Sequence, residues 1–220
     1  MILRLKPILT GKNYFIDTMD TKVIHHFKKN DPVIFSMIQK NKTIQELELS
    51  RSNNYFRSLC REIIGQQLAI KAAHKIFERF LALFPKKKIS PENVLAVSDQ
   101  KIRNSGPAWS KVRFIKGLAK KIVDKEVNLK KLDSLENELV LSELQKNKGI
   151  GPWTAEMFLM FAMGREDIFS HGDYGLRKSI KQFYKFKKEP TKKQIEKIVK
   201  KWSPYKTYGC LILWEILDND

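Results

Sequence analysis

The chain has 220 residues, 42% of them apolar, which is enough for a buried core and excludes a disordered polymer. Its 42 basic and 24 acidic residues leave a net charge of +18, a field that favours a polyanion or, as the weaker choice, an anionic membrane surface. The two cysteines, Cys60 and Cys210, form no C-x-x-C and the four histidines no H-E-x-x-H, so a zinc ribbon, a four-cysteine iron–sulfur cluster and a zincin site are excluded.

The start, "MILRLKPIL", is too short and too basic in its middle for a signal peptide. No apolar run approaches the roughly 20 residues of a membrane span, and no lipidation motif stands at either end. The expected compartment is therefore the cytoplasm of a bacterium or archaeon, or a eukaryotic nucleus. Residues 1–16 read as extended, an arm or one short strand. Asp31-Pro32 then opens a helix carrying Val33, Phe35, Met37 and Ile38. After "GQQL", a turn between two helices, residues 69–84 place Ala73, Ile76, Phe77, Phe80, Leu81 and Phe84 on one helical face. Ser90-Pro91 and Asp99 begin two short helices, and residues 109–124 form another. Thr191 with Gln194 is a capping box, followed by the apolar face Ile195, Ile198, Val199 and Trp202. Ser203-Pro204 opens the last helix, to about Leu217. The pattern predicts an all-α fold of about ten helices, without internal repeat or long linker.

One stretch does not reduce to periodicity: "GIGPWTAEMFLMFAM", residues 149–163. A G-x-G ahead of a helix belongs to a dinucleotide fold only after a buried strand, and here it follows the polar helical "SELQKNK". The remaining reading is helix, tight hairpin, helix. Amides at the start of the second helix suit a phosphate, and Lys148 adds to the attraction. From these residues alone, an ordinary glycine turn between two helices is the preferred reading over a phosphate grip.

Together with "HGDYGLR" at 171–177, the hairpin "NKGIGPWTAEMF" resembles the helix-hairpin-helix DNA glycosylases, and among them the alkyladenine branch. Three further segments resemble that family in the same order. "REIIGQQLAIKAA" (61–73) is similar to its paired-glutamine segment, "IRNSGPAWSKVRFIKGLA" (102–119) to its G-x-S-x-x-K segment, and "WSPYKTYGCLILW" (202–214) to its W-x-P stretch ending in tryptophan. "DPVIFSMI" (31–38) looks like its early helix. Lys148 stands where proline is usual, Ala108 where serine is, and Lys206 where arginine is common. The resemblance implies two helical lobes flanking a cleft, with little or no N-terminal sheet, acting as a single catalytic unit over 1–220. Residues 1–24 would be an arm, 25–50 with 165–220 one lobe, and 51–164 the other, with the hairpin at about 143–163.

The resemblance also implies roles. A glycosylase flips a base out of the stack, so it needs a backbone grip, a wedge, a pocket and a carboxylate. The grip would be Lys148, Gly149, Ile150, Gly151 and Thr154. The carbonyls of Gln145, Asn147 and Gly149 would hold a monovalent cation, Na+ or K+, with no other cofactor required. The wedge would be Gln67, with Gln66 as second choice. An alkylated purine is cationic, and an electron-rich ring face attracts it; Trp153, Tyr174 and Trp214 would supply that face, with Met157 one turn beyond Trp153. Asp173 would be the catalytic carboxylate, stabilising an oxocarbenium-like sugar; a helix-capping role for it is compatible. Members that also cut the strand carry a Schiff-base lysine at the position of Trp153, so a monofunctional enzyme is expected, a monomer acting on double-stranded DNA with alkylated bases and on no membrane. The alternatives are a catalytically inactive DNA-binding protein and a glycosylase for mismatched or oxidised bases.

Overall fold

Thirteen α-helices and three short 3₁₀ segments form the regular structure of residues 19–219, which the computed structural model describes. In chain order the helices are α1 (Thr21–Asn30), α2 (Pro32–Lys40), α3 (Lys42–Gln45), α4 (Tyr55–Gly65), α5 (Ile70–Leu81), α6 (Pro91–Ala96) and α7 (Asp99–Asn104). There follow α8 (Trp109–Val123), α9 (Asn137–Gln145), α10 (Pro152–Phe161), α11 (Tyr174–Phe183), α12 (Lys192–Val199) and α13 (Lys206–Asn219). No strand occurs among the described residues, and no helix there is long and apolar enough to cross a membrane. The expected extended segment 1–16 lies outside the described residues.

Helices outnumber the expected ten because several are too short to show a period; α3 has four residues. Helix α1 starts at Thr21, capped by Asp20, so residues 21–24 are helical and not part of an arm. Ser98, one residue before the expected Asp99, caps α7, its hydroxyl accepting from Lys101 N. Helix α13 begins at Lys206, three residues after the expected start. The Thr191–Gln194 capping box forms as expected.

The described residues divide into two compact units, 19–50 with 164–219, and Arg51–Met163. In the first, Asp31 is 2% exposed and joins three elements. Its Oδ1 accepts from Val33 N and Ile34 N at the start of α2, and its Oδ2 from Tyr184 Oη at 2.6 Å and Trp202 Nε1 at 2.8 Å. A buried carboxylate is stable only when saturated in this way. Trp202 in turn packs on Gly209 of α13, where a Cβ would overlap the indole.

The second unit is organised around α8. Lysines at intervals of five along it reach the C-termini of three other helices, where carbonyls lack intrahelical partners. Lys111 Nζ donates to Ile64 O and Gln66 O at the end of α4, and Lys116 Nζ to Leu95 O and Val97 O at the end of α6. Lys121 Nζ donates to Lys146 O at the end of α9. Cys60 and Cys210 are both buried, and burial pushes the Cys60 thiol above its usual range, so it behaves as a small apolar residue.

Candidate functional site

The hairpin joins α9 to α10. Asn147 N donates to Leu144 O, and Ile150 N to Asn147 O at 3.0 Å, which turns the chain within four residues. Gly149 has φ +92°, and a Cβ there would overlap the Phe114 ring of α8, so both backbone and packing require glycine. Gly151 differs. Its φ is −87°, nothing lies within 4 Å of where its Cβ would stand, and its own chain gives no reason for glycine. It is exposed and forms the N-cap of α10, which no side chain caps; the first intrahelical bond is Ala155 N to Gly151 O at 3.0 Å. An open, uncapped helix start with partial positive charge is what an anion needs. Lys148 is exposed beside it.

Ile150 and Thr154 face inward. Ile150 is buried, and Thr154, at 3% exposure, accepts at Oγ1 from Gln66 Nε2 at 3.0 Å. The same Gln66 nitrogen donates to Gly149 O at 2.8 Å. Gln66 therefore braces the hairpin from the α4–α5 turn and does not project as a wedge.

Gln67 is the projecting residue. Leu68 N donates to Gly65 O, closing a turn in which Gln66 has φ −51° and ψ 131° and Gln67 has φ 56°. That is a type II turn, whose third position favours glycine. A glutamine held there, exposed and at a cost of about 1 kcal/mol, makes sense if its side chain is needed. Lys111 fixes this turn from below through Gln66 O at 2.7 Å, and burial lowers its pKa. Lys111 is the lysine of the G-x-S-x-x-K segment, and nothing in the sequence connects it to a turn 45 residues away.

Two of the three expected cation ligands already accept a hydrogen bond. Gly149 O is turned to the Gln66 amide and Asn147 O to Ile150 N–H. A carbonyl already facing an N–H dipole is a poorer cation ligand. The buried acceptor at the hairpin without a hydrogen-bond partner is Asn147 Oδ1, which is outside the expected set. Among the described residues, no group of three His, Cys, Asp or Glu side chains could hold a metal.

Three expected site residues lie together in the first unit. Asp173 caps α11, its Oδ1 accepting from Leu176 N at 2.8 Å. The same oxygen accepts from Trp214 Nε1 at 3.1 Å, so the indole of α13 holds the carboxylate. Gly175 packs against this pair: a Cβ there would stand 3.2 Å from Asp173 Oδ1, a tight contact, and 3.6 Å from the Trp214 ring, an ordinary one. Gly175 was missed in the sequence, where it reads as an unremarkable helical glycine. Tyr174, next to the carboxylate, is 55% exposed. In the second unit, Trp153 is half-buried on the first turn of α10. Met157 is 1% exposed, so it backs other core side chains and does not meet a ligand directly.

Residues 60–204 match the HhH-GPD superfamily of base excision DNA repair proteins. The chain belongs to that superfamily. This HhH-GPD protein is 30% identical over 166 residues to DNA-3-methyladenine glycosylase 1 of Schizosaccharomyces pombe, covering 73% of this chain and 71% of that one. It superposes on the crystal structure of a DNA-3-methyladenine glycosidase from Bacillus halodurans with TM-score 0.78 and 33% identity, over 91% of each chain. A Schizosaccharomyces pombe 3-methyladenine DNA glycosylase in complex with abasic DNA matches with TM-score 0.77 and 25% identity, over 89% of this chain and 96% of that one. The helical fold and the hairpin expected of an HhH-GPD protein are those described above.

Proposed function

We propose that the chain is a monofunctional DNA glycosylase that flips alkylated purines, 3-methyladenine and 7-methylguanine among them, out of double-stranded DNA and hydrolyses their N-glycosidic bond. The observation that carries this reading is the Asp173 carboxylate, fixed by Leu176 N–H and the Trp214 indole beside an exposed Tyr174. A protein that only binds DNA has no use for a carboxylate so held, since it repels phosphate. The names of the similar proteins, DNA-3-methyladenine glycosylases, support the substrate class.

The geometry supports the following roles. The open N-terminus of α10 at Gly151, with Lys148, takes a backbone phosphate; Gly149, Ile150 and Thr154 shape it. Gln67 enters the stack where the base leaves. Tyr174 and Trp214, together in the first unit, offer ring faces to the cationic purine. The bond between C1′ and the base nitrogen breaks with its electron pair leaving on the base, which departs neutral. Positive charge passes to the sugar, where Asp173 stabilises it. Water oriented by Asp173 then adds to C1′, and the proton it loses passes to bulk solvent. The product is an abasic site in an unbroken strand, because Trp153 stands where an amine nucleophile would be required. No cofactor takes part, and the protein acts as a monomer.

The test is a panel of duplexes, each with one lesion, assayed for free base and then treated with alkali. Base release is expected, with strand scission only after alkali. Scission before alkali removes the monofunctional assignment. Firm DNA binding without release from any lesion replaces the reading with that of a DNA-binding protein.

A further inference from the structure

Half of the net charge lies in 25 consecutive residues. From Arg177 to Lys201 there are eleven basic residues and two acidic ones, nine of the net eighteen charges. Nine of the eleven are exposed. Ion pairs join Lys181 to Glu189 at 3.5 Å and Lys192 to Glu196 at 3.8 Å, so each acid neutralises one lysine at most. Helix α12 buries Ile195 and Val199 and turns Lys193, Lys197 and Lys200 outward at spacings of four and three, a continuous stripe. The surface is extended from far along the chain. His26 Nε2 donates to Lys201 O at 2.9 Å, and the α1 helix that carries His26 ends in the exposed pair Lys28 and Lys29.

Like charges so arranged repel one another and destabilise the folded state. The hairpin carries none of these charges. We propose that the α11–α12 face, with the end of α1, is a second binding surface for duplex DNA, contacting backbone phosphates without regard to sequence or lesion. It rests on the reading that the chain works on DNA, and adds a second grip that holds the enzyme on undamaged duplex.

The test compares two variants that lose the same charge from exposed lysines. The face variant carries Lys187→Gln, Lys193→Gln, Lys197→Gln and Lys200→Gln. The control carries Lys86→Gln, Lys125→Gln, Lys130→Gln and Lys131→Gln. Affinity for a long undamaged duplex is measured across a salt series, and base release from a short lesion duplex under single turnover at saturating enzyme. Each phosphate contact contributes about 0.9 to the slope of log affinity against log salt, so the face variant should lose roughly 2 or more and the control less than about 1. Single-turnover release should stay at the parent rate. Glu189→Gln, which adds charge to the face, should shift affinity the other way. Equal slope changes in the two four-lysine variants, or a face variant with the parent slope, overturn the proposal. If the parent releases no base at all, the glycosylase reading fails while the slopes still decide the second surface.

Discussion

Trp214 Nε1 donates to Asp173 Oδ1 at 3.1 Å, on the same oxygen that caps α11 through Leu176 N. One oxygen thus serves helix and site together. Asp173→Asn keeps an acceptor for both N–H groups, so stability should change by less than about 1 kcal/mol. Release of 7-methylguanine should fall on the order of 10²-fold or more, because the transition state loses its counter-charge. Lesion binding, followed in parallel, should persist. Release at the parent rate would reduce Asp173 to a cap.

Trp214 has two separable parts, an N–H that holds Asp173 and a ring face. Trp214→Phe removes the first and keeps an aromatic face. It should slow release of charged and neutral lesions alike by about tenfold, the value of one hydrogen bond to a charged group. Trp214→Ala should add a further loss confined to cationic lesions, about 2 kcal/mol for a desolvated cation–π contact. Rates on a charged and a neutral lesion, taken as a ratio for each variant, distinguish the two; an unchanged ratio in Trp214→Ala removes the ring from substrate binding.

The two hairpin glycines should separate stability from binding. Gly149→Ala puts a Cβ into Phe114 at φ +92° and should cost about 1–3 kcal/mol or more. Gly151→Ala meets open space at an ordinary φ, so stability should stay level or rise by up to about 1 kcal/mol. Its affinity for undamaged duplex should nonetheless drop, as a methyl group intrudes between backbone and phosphate. Denaturant midpoints and binding isotherms for both variants check this; full affinity in Gly151→Ala would show that no phosphate comes that close.

Gln67 sits where glycine fits better. Gln67→Gly removes a backbone cost of about 1 kcal/mol, partly offset by unfolded-chain entropy, so its Tm should not fall. Excision from duplex should fall more than excision from single strands, since only the duplex opposes flipping, by a few kcal/mol. Gln66→Ala should instead lower Tm and slow both substrates, because Gly149 O and Thr154 Oγ1 lose their shared donor. Equal losses on both substrates in Gln67→Gly would end its role as wedge.

His171 links stability to pH. Burial of its ring lowers its pKa from the ordinary 6.5, Glu196 opposing and Lys192 and Lys206 reinforcing the shift. Below 6.5 the unfolded chain therefore binds a proton more readily than the folded one. Its contribution is complete above 6.5 and is lost as pH falls through the lower folded value. Urea midpoints at about pH 7.5 and about pH 5 should differ less in His171→Gln than in the parent. An unchanged difference would assign the acid sensitivity to other groups.

What the sequence determined by itself was local. Caps and apolar periods announce helices because they act within one or two turns, as at Asp31, Ser90 and the Thr191–Gln194 pair. The hairpin and Asp173 were legible as motifs, since their spacing along the chain is their geometry. Tertiary structure decided which of two neighbours does which work. Gln66 and Gln67 are chemically identical, and only an acceptor 83 residues away makes one a brace and leaves the other exposed. Gly149 and Gly151 are likewise distinguished only in the fold, by the φ of +92° and the Phe114 ring at Gly149. Trp214 reads as a pocket wall until its N–H meets a carboxylate 41 residues earlier. Such assignments are invisible in sequence because a hydrogen bond or a steric overlap depends on separation in space, and packing alone sets that separation for residues far apart in the chain.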